Sequence, residues 1–459
     1  MNEQPPVVSA LINALGPDAV VTGEALQQRA TSYWDASPTY ALALLKPATT
    51  EEVSLVLKIC REWNQPVVTQ GGRTCCTQAA DPRQEEVILS TERMTAIEKI
   101  DALGGTATVQ AGAILETVQE TLAEQDLLFP LDLGARGSCT IGGNVATNAG
   151  GINVLRYGMM RNLVLGLEAV LADGTVVSSM NQMLKNNAGY DLKQLFIGTE
   201  GTLGIVTRVV LRLFPQPRSC HTALVALENF EQTTALLQRL QRDLGGTLSA
   251  YEVMWNTYYQ GVTGENAHRP PLARDYPFYA LLEAEGADPE SDGERFQSVI
   301  EQAFENGLIV DAVLPKSENE RRQLWDIREN FEMITLQEPC YLYDVSLPIS
   351  DMEEYANRVT EGVKQQWPNG NCYVFGHMAD GNVHIFITPG VKGDLHQLSD
   401  QLVYEPLKEF NGSVSAEHGI GVEKKPWLQY SRTEVELALM KSLKSTLDPA
   451  NLLNPGRVI

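Results

Sequence analysis

Residues 129–151 read FPLDLGARGSCTIGGNVATNAGG, a stretch rich in glycine and asparagine that carries no charge from Gly137 onward. Glycine permits positive φ and lets backbone N–H groups approach a bound anion closely. Two further glycine clusters lie in the same part of the chain, at Gly71-Gly72 and at 198–204. Ordinary turns explain any one cluster alone, whereas three clusters in one region indicate a cradle for a cofactor, such as one with a pyrophosphate.

The common nucleotide-binding signatures are absent from the sequence. The pattern GxGxxG does not occur, and the dipeptide Gly-Lys does not occur either. A Rossmann site for NAD and a Walker A loop are therefore not predicted.

Strand and helix patterns alternate around the glycine clusters. Before residue 216 the predicted helices are 49–60 and 114–124, and the predicted strands are 66–69, 87–90, 106–110, 164–172, 174–178 and 205–214. After it, strands at 222–227 and 278–283 and helices at 230–244 and 295–307 predict an α+β domain with a largely antiparallel sheet. An amphipathic helix is predicted at Val435–Leu447.

Composition restricts the class of protein. The chain has 459 residues, with 58 Asp and Glu against 35 Lys and Arg, and a formal net charge of -23. This length fits two large domains or three ordinary ones. Because phosphate binding requires clustered Lys and Arg, the acidity argues against nucleic acid and against anionic membrane surfaces as partners.

Cysteine usage and the N-terminus indicate the compartment. Seven cysteines without a CxxC spacing predict free thiols in a reducing compartment rather than a disulfide framework. The first residues show neither a basic start nor an apolar run, and no uncharged stretch is apolar enough to span a bilayer. We therefore expect a cytoplasmic protein without integral membrane contact.

The stretch 129–151 resembles the FAD-binding core of the vanillyl-alcohol-oxidase superfamily. It is especially similar to the D-2-hydroxyacid dehydrogenase branch, which includes D-2-hydroxyglutarate dehydrogenases, D-lactate dehydrogenases and glycolate-oxidase-like proteins. The similarity extends to the motifs RYG (156–158), GYDL (189–192), FIGTEGTLGIVT (196–207) and NPGRV (454–458).

The resemblance implies an α+β fold in which a PCMH-type FAD-binding domain of two α/β subdomains is joined to an α+β cap domain. We expect the FAD-binding domain at 1–216, the substrate-binding cap at 217–415, and a C-terminal helical segment at 416–459 that returns to the FAD site.

The resemblance also implies which residues bind FAD. They are Gln70, Gly71, Gly72, Arg73, Thr74, Cys75, Pro130, Asp132, Gly134, Ser138, Cys139, Gly142, Gly143, Asn144, Ala146, Asn148, Ile205 and Asn454. The first loop departs from the family pattern, because Gln70 replaces a basic residue and Arg73 and Cys75 replace glycines. We expect Arg73 to return the positive charge to the diphosphate. No histidine lies in this loop, so noncovalent FAD is expected.

Two histidines, His377 and His384, flank the turn-forming sequence ADGN (379–382) between two strand patterns. Seven residues apart on one straight strand they would face opposite sides, whereas a hairpin directs both into one site. Glu417 adds a carboxylate, and two histidines with one carboxylate and an open position describe a catalytic Zn²⁺ site. A histidine taken alone is more often structural.

The resemblance assigns His377, His384 and Glu417 as ligands of Zn²⁺ or a similar divalent metal, and His418 as the catalytic base. It also implies that Arg328 holds the carboxylate of a 2-hydroxy acid, whose C2 hydride passes to flavin N5. The alternative for Arg328 is a surface salt bridge with Glu332 at i+4.

Three cap positions differ from the D-2-hydroxyglutarate branch: Leu342 replaces a lysine, Glu332 a threonine and Phe386 an asparagine. Phe386 shares a strand face with His384, so it should face the site. Leu342 and Phe386 cannot pair with a distal carboxylate, and an unpaired carboxylate is costly to bury. We therefore expect D-lactate or a D-2-hydroxy acid with an apolar side chain as substrate.

Three alternatives stay open: a D-2-hydroxyglutarate dehydrogenase, a flavin alcohol oxidase that uses O2, and a metal-binding or scaffold protein without flavin. The family suggests an electron-transfer flavoprotein or a quinone-linked carrier as electron acceptor. The oligomeric state is open, a homodimer being the commonest closed assembly.

Overall fold

The computed structural model of the chain describes residues 5–459. Residues 1–4, on which the prediction about a secretory signal partly rests, lie outside the described residues. The chain forms two compact units: the first contains the described residues up to Gly151, Gly158–Gln216 and Glu417–Ile459, and the second contains Ile152–Tyr157 and Pro217–Ala416.

Strands β1 to β11 belong to the first unit and β12 to β18 to the second. They are β1 (Val20–Val21), β2 (Ala43–Leu45), β3 (Val67–Gln70), β4 (Val87–Ser90), β5 (Ile97–Asp101), β6 (Thr106–Gln110), β7 (Leu127–Leu128), β8 (Val164–Val170), β9 (Val176–Ser179), β10 (Ile205–Arg212), β11 (Phe214–Pro215), β12 (Ser219–Leu227), β13 (Leu248–Trp255), β14 (Phe278–Gly286), β15 (Asp311–Val313), β16 (Tyr341–Ser346), β17 (Asn371–His377) and β18 (Asn382–Thr388).

The α-helices are α1 (Pro6–Leu15), α2 (Glu24–Gln27), α3 (Thr50–Glu62), α4 (Leu115–Ala123), α5 (Ile141–Thr147), α6 (Val154–Tyr157), α7 (Met160–Leu163), α8 (Phe230–Asp243), α9 (Asn256–Val262), α10 (Pro289–Glu305), α11 (Glu318–Glu329), α12 (Glu332–Thr335), α13 (Met352–Gln366), α14 (His396–Leu407) and α15 (Glu434–Leu447).

The first unit contains two larger sheets. One has the order β1-β2-β4-β3, in which β2, β4 and β3 are parallel. The other is antiparallel, with the order β5-β6-β10-β8-β9. Helix α3 packs Val53, Val56 and Leu57 into the core of the first sheet. It begins at Thr50 because the side chain of Thr49 accepts a hydrogen bond from the N–H of Glu52, a cap that contributes about 1 kcal/mol.

The second unit is built on one seven-stranded antiparallel sheet with the order β15-β12-β14-β13-β17-β18-β16. Helices α8, α10 and α13 contact this sheet. A core that includes Tyr258, Trp325, Ile334 and Phe375 brings α9, α11 and α12 against the strands. The predicted α+β architecture with a largely antiparallel second sheet is confirmed.

Helix α10 begins six residues earlier than the predicted start at 295. Asp288 precedes it, and its side chain accepts hydrogen bonds from the N–H groups of Glu290 and Ser291. Pro289 occupies the first turn, where its missing N–H costs nothing. The Asp-Pro pair therefore determines the start, whereas the prediction followed the apolar positions alone.

Candidate functional site

The glycine-rich stretch 129–151 packs against the loop after β3 within the first unit. A Cβ on Gly72 would lie 2.0 Å from the carbonyl oxygen of Ser138 and 2.9 Å from Cα of Cys139, so only glycine permits this approach. Helix α5 begins directly after Thr140, whose side chain accepts a hydrogen bond from the N–H of Gly143. Two of the three predicted cradle segments are therefore neighbours.

The third glycine cluster joins them through Glu200 and Asn454. The N–H of Glu200 donates to the carbonyl of Ala146 in α5 at 2.8 Å. The side-chain amide of Asn454 donates to the carbonyl of Glu200 at 2.7 Å and accepts from the N–H of Thr69 at 2.9 Å. All three clusters and Asn454 thus meet in the first unit.

Buried polar atoms test whether this cradle fits FAD. Among the described residues, Thr69 Oγ1, Gln70 Oε1 and Asn144 Nδ2 are buried without a hydrogen-bond partner in the protein. An unsatisfied buried polar group costs about 1–3 kcal/mol, so a bound group with donors and acceptors is expected here. FAD, with its diphosphate and flavin heteroatoms, fits this requirement.

The two replacements of glycine in the first loop, Arg73 and Cys75, differ in their backbone conformation. Arg73 has φ of +59°, a left-handed conformation that costs a non-glycine residue about 1–2 kcal/mol. Cys75 is not among the residues with positive φ, so glycine is not required there. The guanidinium of Arg73 donates to the carbonyl of Ala30 at 2.6 Å, and its contact with a diphosphate stays a prediction.

The remaining residues predicted to bind the cofactor also belong to the first unit. Burial raises the pKa of the Cys139 thiol to about 11 and also raises the pKa of Cys75. Protonated thiols are poor nucleophiles, which favours noncovalent FAD. The remaining residues predicted to bind the cofactor are Gly71, Thr74, Pro130, Asp132, Gly134, Ser138, Gly142, Gly143, Asn148 and Ile205.

In the second unit, β17 and β18 form the predicted hairpin. The chain reverses at Met378–Asp380 and Gly381, which has φ of +93°. His384 lies opposite Phe375 in the register, and His377 ends β17. The rings of His377 and His384 are 5.3 Å apart between centroids and nearly perpendicular. The hairpin therefore brings the two histidines together.

A buried carboxylate, Glu252 on β13, holds both His377 and Arg328. Its Oε1 lies 2.6 Å from Nδ1 of His377, and its Oε2 accepts from Nε of Arg328 at 2.7 Å. Burial alone would raise the pKa of Glu252, but His377 and Arg328 outweigh this effect and lower the pKa to about 2. Glu252 is thus an ionised carboxylate inside the protein, and the sequence analysis did not identify it.

His384 has a carboxylate of its own nearby. Asp344, opposite it on β16, is fully buried, and its Oδ1 lies 3.9 Å from Nδ1 of His384. Carboxylates beside Nδ1 of histidines fix the ring orientation and direct Nε2 toward a metal. The 2.6 Å contact between Glu252 and Nδ1 of His377 is of this kind, and two neighbouring imidazoles form a donor set that fits a divalent cation.

Arg328 does not form the predicted alternative salt bridge with Glu332. Helix α11 ends at Glu329, so the two residues are not on one helix. The guanidinium is instead buried with Glu252, and its Nη2 lies 3.5 Å from Nε2 of His377. The alternative is wrong, because an i+4 pair requires one continuous helix and α11 ends between the two residues.

Apolar side chains lie beside this charged group. Phe386 is 4% exposed and is the cross-strand partner of Leu342. Phe331 contacts Phe386 edge to face, with centroids 4.9 Å apart. Glu332 begins α12, and its N–H donates to Oδ1 of Asn330. Phe386, Phe331 and Leu342 therefore form an apolar patch next to His384 and Asp344 on this face of the sheet.

Glu417 and His418 belong to the first unit. Oε1 of Glu417 accepts from the N–H of Gly151 at 2.7 Å, at the end of the glycine-rich stretch. The carbonyl of His418 accepts from Oγ1 of Thr77 at 3.5 Å. Both residues are therefore attached to the segments that form the cradle.

Glu252→Gln is expected to lower the free energy of unfolding by about 3–5 kcal/mol, because the charge of Arg328 would then be buried without compensation. Urea denaturation followed by circular dichroism measures this change. Glu301→Gln, an exposed substitution on α10, serves as control and should change the free energy of unfolding by less than about 0.5 kcal/mol. Equal stability of the two variants would contradict the buried ion pair.

Comparison with known families agrees with this arrangement. Residues 41–179 match an FAD binding domain, and residues 216–458 match the C-terminal domain of FAD linked oxidases. Among the described residues, no helix has the length and apolar character that crossing a membrane requires.

Similar proteins are found in several organisms. The chain is 39% identical over 421 residues to a mitochondrial D-2-hydroxyglutarate dehydrogenase of Danio rerio, covering 91% of this chain and 78% of the relative. It is 36% identical to a Schizosaccharomyces pombe protein provisionally named mitochondrial D-lactate dehydrogenase, covering 90% and 81%. It is 34% identical to a D-2-hydroxyglutarate–pyruvate transhydrogenase of Saccharomyces cerevisiae, covering 97% and 92%.

Solved structures share the fold. p-Cresol methylhydroxylase superposes with a TM-score of 0.78 at 17% identity, covering 98% of this chain and 96% of that one. Alkyldihydroxyacetonephosphate synthase gives a TM-score of 0.75 at 17% identity, covering 98% and 84%. The chain therefore belongs to the FAD-linked oxidase family, in the group of D-2-hydroxyglutarate and D-lactate dehydrogenases, and it is an FAD-dependent oxidoreductase.

Proposed function

We propose that this protein is an FAD- and metal-dependent dehydrogenase that oxidises a D-2-hydroxy acid with a small or apolar side chain to the 2-oxo acid. The observation that carries the proposal is the buried group on one face of the second unit's sheet. In this group Glu252 holds His377 and Arg328, and the ring of His384 lies beside that of His377. Phe386 and its cross-strand partner Leu342 lie next along the same strands.

The proposed metal ligands are His377, His384 and Glu417, each of which offers one ligand atom. The geometry within the second unit supports the two histidines. Glu417 follows Ala416 in the chain, and the N–H of Ala416 donates to Asp344, the carboxylate beside His384. A divalent cation bound by these residues would lower the pKa of the substrate hydroxyl.

The chain's own groups would perform the remaining tasks. His418 in its neutral form would take the hydroxyl proton as general base. Arg328 would pair with the carboxylate of the substrate, and Glu252 fixes the plane of its guanidinium through Nε, leaving other N–H groups for that pair. FAD, held by the cradle residues of the first unit, supplies the hydride acceptor at N5.

The selectivity follows from the surroundings of Phe386. Leu342 is its cross-strand partner, and Phe331 contacts its ring. Neither side chain provides a hydrogen-bond donor for a second carboxylate. A distal carboxylate brought against these side chains would lose its hydration without compensation. D-Lactate and its apolar homologues avoid this cost.

We expect kcat/KM for D-lactate or an apolar homologue to exceed that for D-2-hydroxyglutarate by about 10- to 100-fold. The double substitution Leu342→Lys with Phe386→Asn should reverse the ratio, because it supplies a cation and an amide to the distal carboxylate. Steady-state assays with an artificial electron acceptor measure both ratios.

Leu103→Lys, at a fully exposed position of the first unit, adds the same charge elsewhere and should leave the ratio unchanged. A clear preference of the parent protein for D-2-hydroxyglutarate would contradict the selectivity and favour the second candidate, a D-2-hydroxyglutarate dehydrogenase. The names of two of the relatives above favour that candidate.

An electron-transfer flavoprotein or a quinone-linked carrier is the proposed electron acceptor, and the cytoplasm is the proposed compartment. An oxidase differs from a dehydrogenase in that O2 reoxidises its reduced flavin rapidly. Rapid reoxidation in air, as fast as with a dye, would favour the oxidase.

A further inference from the structure

Glu200 is a buried carboxylate that has no role in the reaction proposed above. It lies in the third glycine cluster, shortly before β10, and is 6% exposed. Its φ is +51°, a left-handed conformation that costs a glutamate about 1–2 kcal/mol. A strained and buried acid persists only where the surrounding structure requires it.

Both oxygens of this carboxylate hold the backbone directly after His418. Oε1 accepts from the N–H of Ile420 at 2.7 Å, and Oε2 accepts from the N–H of Gly421 at 2.8 Å. A Cβ on Gly419 would lie 2.7 Å from Oε1, so the loop passes as close to the carboxylate as a glycine allows. Glu200 thus acts as a two-point clamp on the loop that carries His418.

Two backbone hydrogen bonds to neutral carbonyl groups also hold this loop. The N–H of Val422 donates to the carbonyl of Thr77 at 3.0 Å, and the N–H of Val458 donates to the carbonyl of Gly421 at 2.8 Å. Each of these bonds holds the loop at one residue, whereas the carboxylate of Glu200 holds two successive N–H groups of the loop at once. Glu200 therefore anchors more of the loop than either of these bonds.

The backbone of Glu200 is attached to the flavin cradle at the same time. Its N–H donates to Ala146 in α5, and its carbonyl accepts from Asn454, which also bonds Thr69. The main chain of Glu200 is therefore bonded to the cradle, and its side chain is bonded to the loop that carries His418. All of these contacts lie within the first unit.

We propose that Glu200 is a positioning residue that sets the distance between the His418 imidazole and the flavin cradle, an inference that rests on the proposed function. Glu200 acts through His418 and contributes no proton of its own. A base displaced by about 1 Å can cost a factor of about 100 in rate, because proton transfer requires hydrogen-bond distance.

The test is anaerobic rapid mixing of the FAD-loaded protein with D-lactate, or with the best D-2-hydroxy acid found. In Glu200→Gln an amide NH₂ would face one of the two backbone N–H groups, so the clamp would open on one side. The rate of flavin reduction at saturating substrate should fall about 10- to 100-fold. The FAD content and the half-saturating substrate concentration should stay near those of the parent, whereas the melting temperature should fall by a few degrees because one buried N–H loses its acceptor.

Glu168→Gln is the matched control, because Glu168 is also a buried carboxylate of the first unit but bonds Thr50 and Thr207 instead. It should leave the rate of flavin reduction unchanged. Glu200→Asp keeps the charge on a shorter side chain and should give an intermediate rate. It replaces Glu200→Gln in the test if the latter does not fold.

An unchanged rate in the Glu200 variants, or a loss that only parallels lost FAD, would overturn the positioning role. If no D-2-hydroxy acid reduces the flavin of the parent, the proposed function fails and the role of Glu200 fails with it. If D-2-hydroxy acids reduce the flavin of the parent and of the Glu200 variants at the same rate, the positioning role of Glu200 is excluded and the proposed function is not.

Discussion

Flavin reduction by a D-2-hydroxy acid should slow by about 10²- to 10⁴-fold when His418 is replaced by glutamine. Glutamine retains a polar side chain of similar length but cannot accept the hydroxyl proton at neutral pH. The substitution leaves the main-chain anchors of the loop at Glu200 and Thr77 in place. Anaerobic rapid mixing at saturating substrate measures the rate directly.

His396→Gln is the control, since this histidine lies on α14 with its side chain 44% exposed. It should leave the rate of flavin reduction unchanged. FAD content should also be unchanged in both variants, because neither histidine is among the residues predicted to bind FAD. A rate within about threefold of the parent in His418→Gln would remove His418 from the role of base.

The second large effect is expected from His384→Ala. Removing one of two hairpin histidines leaves an incomplete ligand set, so the protein should bind less than one metal ion per chain. Turnover should fall by at least about 10²-fold, since Lewis-acid stabilisation is worth several kcal/mol. Elemental analysis, the flavin spectrum and steady-state assays give the three readouts.

Chelation followed by metal return is the control that requires no substitution. The chelated parent should keep its FAD and lose turnover, and Zn²⁺ or another divalent ion should restore turnover in the parent but not in His384→Ala. Full activity of a parent protein verified to be free of metal would exclude the metal from the mechanism.

The hairpin of β17 and β18 could be predicted because its signals are local. Two apolar strand patterns flank the sequence ADGN (379–382), whose Asp-Gly pair favours a turn; the turn occupies 378–381 and Asn382 already begins β18. This turn brings the two histidine rings within 5.3 Å, and no knowledge of distant residues is required. The glycine clusters were likewise visible, since close backbone approach requires glycine, as at Gly72.

Glu252 could not be predicted in the same way. Strand β13 is buried on both faces over seven of its eight residues, so its sequence lacks the alternation that identifies a strand. Glu252 meets His377 and Arg328 only through sheet pairing and helix packing, over sequence separations of 125 and 76 residues. The sequence shows only a single acidic residue inside an apolar stretch, and this pattern does not indicate which residues the carboxylate contacts.

The net charge of -23 raises the question of how an acidic protein would bind an anionic substrate. The proposed substrate is an anionic hydroxy acid, whose binding to an acidic protein requires local positive charge, and in the proposed function Arg328 would supply this charge on the second unit. Glu252 neutralises part of this charge, so the guanidinium can be buried before substrate arrives.

Anaerobic mixing of the yellow FAD-loaded protein with D-lactate and L-lactate tests the central claim most directly. The proposed function predicts that D-lactate, or a larger apolar D-2-hydroxy acid, bleaches the visible flavin bands and yields the 2-oxo acid in equal amount, whereas the L-enantiomer does not. Flavin that stays oxidised with every D-2-hydroxy acid offered, or is bleached equally by both enantiomers, would contradict it.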